Sequence, residues 1–246
     1  METKDIISTI ALIVSLASIW ISYRRARSTE HSLEEQRASS ARAAIIDYIV
    51  REYLEREFRM TQPPAIHGKI VRSLREAKQH ARKEYEQNPE KWDKASRRSN
   101  LGDWQNTVAF ETAWVLENLG ATVFSGALPL GIALAIVGDV VIDDWILCRS
   151  WVNSYREDEK AISQVQTTHT PGVHYHRRHA EWLALIATLW MTRHWRYPNC
   201  DLIADWYGGK QNLPQKIRAL SRADGALMPQ TVRHEVKSLT KIDLSQ

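Results

Sequence analysis

Four histidines fall within eleven residues, at His169, His174, His176 and His179. Neutral imidazole is the commonest side-chain ligand for metals such as zinc and copper. A His-x-His pair in a loop, followed by a histidine on a helix, can present three nitrogens at about 2.0–2.1 Å from one ion. His174, His176 and His179 are therefore the candidate metal ligands. Two features oppose them. Arg177 and Arg178 are interleaved, and their charge repels a cation. No carboxylate follows at ligand spacing until Glu181, and no zinc spacing signature is matched. The pattern favours a solvated, positively charged helix start, and no cofactor is expected.

Asp139, Asp143 and Asp144 are oxygen donors of the kind that hard cations take, with Asp143 one helical turn after Asp139. A capping role for Asp139 and solvent exposure for the other two need no further assumption. The spacing Arg-x(4–6)-His, used by some helical ribonucleases, occurs at Arg24 or Arg25 with His31 and at Arg75 with His80. In a chain this rich in arginine and histidine such pairs arise by chance, and the first pair lies against a strongly apolar segment. Phosphate loops, a nucleophile elbow and paired Cys-His ligands are absent. The two cysteines, Cys148 and Cys200, form no CxxC pair, which argues against a disulfide scaffold and for a reducing compartment. The chemistry-bearing residues thus favour a non-enzymatic module. The alternative is a membrane-anchored hydrolase, metal-dependent through the histidines or nuclease-like through an Arg/His pair.

The elements that carry these residues begin with an apolar run. Ile6 to Tyr23 is 18 residues without a formal charge. As a helix it is about 27 Å long, close to the ~30 Å hydrocarbon core of a bilayer. Trp20 and Tyr23 sit at one end, where amphipathic rings favour the interface, and Arg24, Arg25 and Arg27 follow directly. Basic residues stay on the cytoplasmic side, so these arginines predict a single span in the inner membrane with its N-terminus out. A secretory signal has the reverse polarity. A second uncharged run, Ala121 to Val137, contains Gly126, Pro129 and Gly131 and runs into Asp139. It reads as buried helix in the domain.

No proline or glycine precedes Pro63. The charged segment after the span is expected to be helical to about Met60, with a break at the capping-box pattern Ser32-x-x-Glu35. "TQPPAIHG" is a turn. Helices are then predicted over about Ile66 to Tyr85, with Ile70, Val71, Leu74 and Ala77 on one side, and over Trp104 to Leu119, capped by Asp103 and closed by Gly120. The stretch from Glu86 to Asp103 reads as a loop. A short helix from Pro129 to Val137, a stop and restart at Gly138-Asp139, and a helix over Val140 to Tyr155 follow. Another runs from near His179 to before Pro198. From Asn199 the chain reads as turn-rich and basic, with a helix after Pro214. Alternating β-branched runs are absent, so the fold class is all-α. The organisation is an anchor (1–23), a juxtamembrane helix (24–62), a helical domain (63–198) and a basic tail (199–246). Ten tryptophans are many for this length. Trp104, Trp114, Trp145, Trp151, Trp182 and Trp190 fall on predicted helices and are expected to pack in the core.

"FETAWVLENLG" (Phe110 to Gly120), "GALPL" (Gly126 to Leu130), "GDVVIDDW" (Gly138 to Trp145) and "HAEWLA" (His179 to Ala184) follow in that order. This order resembles a family of bacterial single-span membrane proteins of unknown function, over roughly residues 1–60 and 104–190. The resemblance implies an N-terminal anchor, a charged helix and a small helical cytoplasmic domain. It implies no activity, and the basic C-terminal segment lies outside it. The expected partners are the lipid bilayer, a second copy of the chain and an unidentified cytoplasmic protein. The net charge of +4 is spread thinly, so nucleic acid is not indicated.

Self-association is expected from the anchor itself. Ser8, Ala11, Ser15, Ser18 and Ser22 are spaced 3, 4, 3, 4, a heptad seam that keeps all five on one face. Inside lipid, helices are held by close backbone approach and inter-helix hydrogen bonds, which small residues and serines provide. Ile10, Leu12, Ile13, Leu16 and Ile19 occupy the other faces. Each serine contact contributes only ~0.6 kcal/mol, so several are needed. Replacing Ala11, Ser15 and Ser18 together by leucine is predicted to weaken cross-linked self-association in membranes. Exchanging Leu12, Ile13 and Leu16 for other large apolar residues is predicted to leave it intact. Equal association of both triple variants with the wild type rules out the seam.

Overall fold

The structure, a computed structural model, describes residues 60–93, 102–165, 177–222 and 228–244, with Ser40, Ala43, Ala44 and Asp47 as single positions. The anchor seam (Ser8, Ala11, Ser15, Ser18, Ser22), Arg24, Arg25, Arg27 and His31 lie outside the described residues, as do His169, His174 and His176. The chain divides into two compact units, Met1–Tyr48 and Ile49–Gln246. In the first, the four described positions are helical and exposed.

Among its described residues the second unit is helical apart from one small hairpin. Strands β1 (Ala65–Ile66) and β2 (Lys69–Ile70) pair antiparallel, with Ile66 opposite Lys69. The two turn residues, His67 and Gly68, both take left-handed backbone (φ 49° and 79°), the conformation a two-residue hairpin with right-handed twist requires. The helix expected from Ile66 therefore starts later. Helix α1 spans Leu74–Gln87, and Ser73 Oγ accepts from Glu76 N at its start. Val71, Leu74 and Ala77 are buried as expected, but Ile70 is 69% exposed because it belongs to the hairpin. A short helix, α2 (Pro89–Asp93), replaces part of the expected loop and buries Trp92.

Three long helices form the centre: α3 (Asp103–Phe124), α4 (Leu130–Val165) and α5 (Arg178–His194). Every residue of α5 from Ala180 to Thr188 is buried, which makes it the core helix. The chain's glycines do not divide these helices as the sequence suggests. Helix α3 runs through Gly120 and closes at Gly126 (φ 79°). Gly120 instead lets α3 meet the start of α5, since a Cβ there would lie 2.3 Å from the His179 carbonyl oxygen. Helix α4 runs unbroken through Gly138-Asp139. Its buried stripe, Leu134, Val137, Val141, Trp145, Cys148 and Val152, continues across that dipeptide. Tertiary burial outweighs the roughly 1 kcal/mol that a helical glycine costs. Asp139 is exposed within α4 and starts no new helix. The uncharged run Ala121–Val137 is thus divided between α3 and α4. Among the described residues no helix is long and apolar enough to cross a membrane.

The segment after Asn199 is folded rather than turn-rich. Helices α6 (Asn199–Trp206), α7 (Leu213–Arg222) and α8 (Gln230–Thr240) bury Cys200, Ile203, Ile217, Leu220, Val232 and Val236, and all three pack on α5. Helix α8 also closes the start of α4, because Glu235 Oε2 accepts from Leu130 N at 2.6 Å. A carboxylate at a helix start satisfies an orphan N–H and complements the helix dipole.

The glycines give a paired test. Gly120→Ala is predicted to lower stability by about 1–3 kcal/mol through overpacking against the His179 backbone. Gly138→Ala places its methyl at an ordinary 3.7 Å from the Trp190 ring. It is predicted to leave stability unchanged or raise it by up to ~1 kcal/mol through helix propensity. Urea unfolding followed by tryptophan fluorescence measures both.

Candidate functional site

The aspartates singled out by the sequence are structural clamps. Lys78 of α1 and Asp144 of α4 are 4% and 1% exposed, and Lys78 Nζ reaches both carboxylate oxygens at 2.9 and 3.0 Å. One turn along α1, Arg82 pairs with Asp144 at 3.5 Å and with Asp143 at 3.3 Å. Asp143 Oδ1 also accepts from Tyr197 OH at 2.6 Å and Asn199 Nδ2 at 2.7 Å, which ties α6 to α4. Burial, the Asp143 hydrogen bond and the Asp143 charge push the Tyr197 phenol far above its ordinary value, so it donates throughout the physiological range. Asp143 and Asp144 are therefore not solvent-exposed carboxylates. A cleft of about 280 Å³ opens beside them, with Arg82, Tyr85, Asp143, Ile146 and Asn199 in its wall. Among the described residues no three His, Cys, Asp or Glu side chains converge as metal ligands.

Glu181, inside α5, is the centre of a second buried network. Its carboxylate accepts from Arg156 Nη1 at 2.6 Å and from Tyr207 OH at 2.9 Å, and lies 3.2 Å from Lys216 Nζ. Burial pushes the Glu181 carboxyl up. The charges of Arg156 and Lys216 and the two hydrogen bonds outweigh it and hold the group below the usual carboxylate range.

Of the histidine motif only His179, with Arg177 and Arg178, falls among the described residues, at the start of α5. Arg177 has left-handed backbone (φ 57°), uncommon for a non-glycine residue. Glu117 of α3 caps the helix. Its Oε2 accepts from Ala180 N at 2.9 Å, and its Oε1 lies 2.7 Å from His179 Nδ1. Arg178 Nε, which can only donate, is 3.2 Å from His179 Nε2. The pattern assigns His179 the Nδ1-protonated tautomer, with both ring nitrogens engaged inside the protein. The arginines are not solvated as the sequence suggests. Arg177 and Arg178 are 8% and 7% exposed. Their guanidinium groups lie over aromatic rings, Arg177 over Trp114 at 4.8 Å and Arg178 over Phe124 at 5.5 Å. Burial lowers the basicity of Arg177. The Arg75/His80 pair does not converge. Five residues apart on α1, the two point about 140° apart around the helix axis.

The tryptophans split. Trp92, Trp145 and Trp182 are fully buried, as core packing requires, whereas Trp114 is 45% exposed and Phe110, one turn earlier, 42%. Between them Glu111 and Thr112 are buried, and Glu111 accepts from Thr61 N at 3.2 Å. The polarity of α3 is therefore inverted at "FETAW". Phe110 packs edge-to-face on Trp151 with centroids 5.5 Å apart, and Trp151 stacks on Tyr155 at the same distance. With Arg177 over Trp114, the result is an aromatic face carrying one cation. Arg177 forms no ion pair among the described residues. Trp151 is buried at 5% exposure, as expected, whereas Trp114, also expected in the core, is not.

Truncating Glu181 tests how far the second network is structural. Glu181→Ala removes the carboxylate that pairs with the buried Arg156 guanidinium at 2.6 Å and is predicted to cost about 3–5 kcal/mol. A carboxyl held low when folded stabilises fully above its unfolded value, about 4.3. That contribution is lost as pH falls through the folded value. Acid unfolding curves are predicted to be shallower for Glu181→Gln than for the wild type below pH ~4.3.

Comparison of the chain with protein-family models, curated proteins and solved structures finds no match in any of the three.

Proposed function

We propose that this chain is a membrane-tethered, non-enzymatic interaction or signalling module of the bacterial inner membrane. In this reading residues 6–23 span the bilayer with the N-terminus out. The small-residue seam self-associates the anchor, and the helical domain in the cytoplasm docks a protein partner. The observation that carries it is the inverted stretch of α3, where Phe110 and Trp114 are exposed while Glu111 and Thr112 are buried. Exposing two large aromatic groups at the expense of two polar ones serves no purpose in an isolated fold. Trp, Tyr, Phe and Arg are the residues that dominate interface energetics; here Phe110 and Trp114 are exposed, Tyr155 is half-buried, and Trp151 and Arg177 are buried against them. The Arg177 charge fits a partner segment that presents a carboxylate beside apolar side chains. The hydrolase alternative lacks comparable support. Asp143, Asp144, Glu117, His179 and Glu181 are each held by structural partners.

The test uses a photo-reactive phenylalanine analogue at position 110 in the membrane-embedded chain, with position 237, on exposed α8 surface, as control. The expected result is one defined protein adduct from position 110, absent from position 237 and lost with Trp114→Ser. Indistinguishable adducts from the two positions sink the docking face. A reporter active only in the periplasm, fused after Gln246, tests the anchor separately. Its activity overturns the N-out topology and leaves the docking face standing.

A further inference from the structure

A second opening lies away from the aromatic face, where the hairpin turn, α1, α2 and the first turn of α3 meet. It is a half-open cleft of about 480 Å³, within the size range of small-molecule sites. His67 enters it from the β1–β2 turn, His80 and Lys83 from α1, and Trp104 from α3. The one carboxylate among the described residues of its wall is Glu84. Both oxygens of Glu84 accept from Gln105 Nε2, at 2.6 and 2.7 Å, and Oε1 also pairs with Lys91 Nζ at 2.7 Å. Gln105 is fixed in turn, because its Oε1 accepts from Gly102 N. Glu84 is thereby saturated from inside the protein.

What remains is basic and unanswered. Lys83 forms no ion pair among the described residues. The His67 and His80 rings stand edge to face, with centroids 6.0 Å apart. The left-handed turn at His67-Gly68 holds the first of these rings over α1. An imidazole N–H at the rim of either ring can donate to an oxyanion in the cleft, and Lys83 adds a point charge of the kind that binds phosphate. The Trp104 ring, half-buried in the same wall, offers a flat face. A base or other planar ring stacked on such a face contributes binding without a sequence-reading hydrogen bond.

We infer that this cleft binds a small phosphorylated ligand with a planar ring, of the mononucleotide class. His67, His80 and Lys83 take the phosphate and Trp104 stacks on the ring. The site is independent of the docking face on α3, and its occupant is a soluble molecule rather than a lipid headgroup.

Calorimetric titration of the full chain in nanodiscs with adenosine monophosphate, ribose 5-phosphate and inorganic phosphate tests it. Saturable binding of the monophosphate is expected, with the two ring-free probes weaker by about tenfold or more. The double variant His80→Ala/Lys83→Ala is expected to lose about tenfold or more in affinity. His67→Asn, which keeps a residue that tolerates left-handed backbone, is expected to lose affinity without loss of helical circular dichroism. Trp104→Leu is expected to erase the preference for the monophosphate over ribose 5-phosphate. No saturable binding at millimolar monophosphate, or unchanged affinity in His80→Ala/Lys83→Ala, overturns the site. Binding of phosphatidic-acid vesicles through these residues in place of the monophosphate overturns the soluble ligand.

Discussion

The fold depends on how closely α3 and α5 approach. A row of α3 residues meets the start of α5 in succession. Trp114 lies under Arg177, Glu117 caps Ala180 and holds His179, Gly120 abuts the His179 carbonyl, and Phe124 packs on His179 and Trp182. The spacings of 3, 3 and 4 keep all four on one side of α3. Gly120 is the hinge of this arrangement, since any larger residue there forces the helices apart. That separation would strand the Ala180 amide and remove the ring beneath Arg177. The core helix and the exposed aromatic face therefore share one contact line. The inner side of α3 sets the distance to α5, and that distance places Arg177 at the edge of the outer face.

Charge is used inside this protein mainly to fix geometry. Lys78, Asp144, Arg156 and Glu181 are all buried, and each is matched by a partner on another helix. Such pairs add little net stability over apolar replacements, but breaking one is costly. They therefore specify which helices meet. Arg177 departs from this rule. Its guanidinium is buried, lies on an aromatic ring and forms no ion pair among the described residues, while Glu117, whose charge acts on it, is committed to His179 and the Ala180 amide. A cation so placed at the rim of an exposed aromatic face is what sets that face apart from ordinary surface.

Helix type was legible in the sequence because apolar residues recur at 3.6-residue spacing in α3, α4 and α5. Helix limits were not, because glycine carries two meanings. It ends helices, and it lets them approach; Gly120 does the second while looking like the first, and Gly138 does neither, since a methyl there meets Trp190 at an ordinary 3.7 Å. Of the three C-terminal helices, α7 was marked by Pro214, whereas α6 and α8 were hidden by shortness and charge. Only pairs such as Ile217 with Leu220 and Val232 with Val236 mark their inner sides. The hairpin was hidden because His-Gly is a less common left-handed pair than Asn-Gly. For the functional residues, type was visible but partnership was not. Asp144 finds Lys78 across 66 positions and His179 finds Glu117 across 62, and no local pattern encodes such pairings. Trp114 was assigned to the core because it falls on the apolar helix α3, yet it is 45% exposed.

The two borrowed caps impose an order on synthesis. Helix α4 begins at Leu130 but receives its terminal carboxylate from Glu235, 105 residues later, while α5 receives its own from Glu117, 63 residues earlier. As the chain leaves the ribosome, α5 emerges with its cap already waiting on α3. The start of α4 stays open until almost the last helix has been made. Formation of native contacts across such separations is slow, because the loop must close before the contact contributes. The amino end of α4 is thus the last helix start to be completed, and the nascent domain remains unfinished until its C-terminal helix docks.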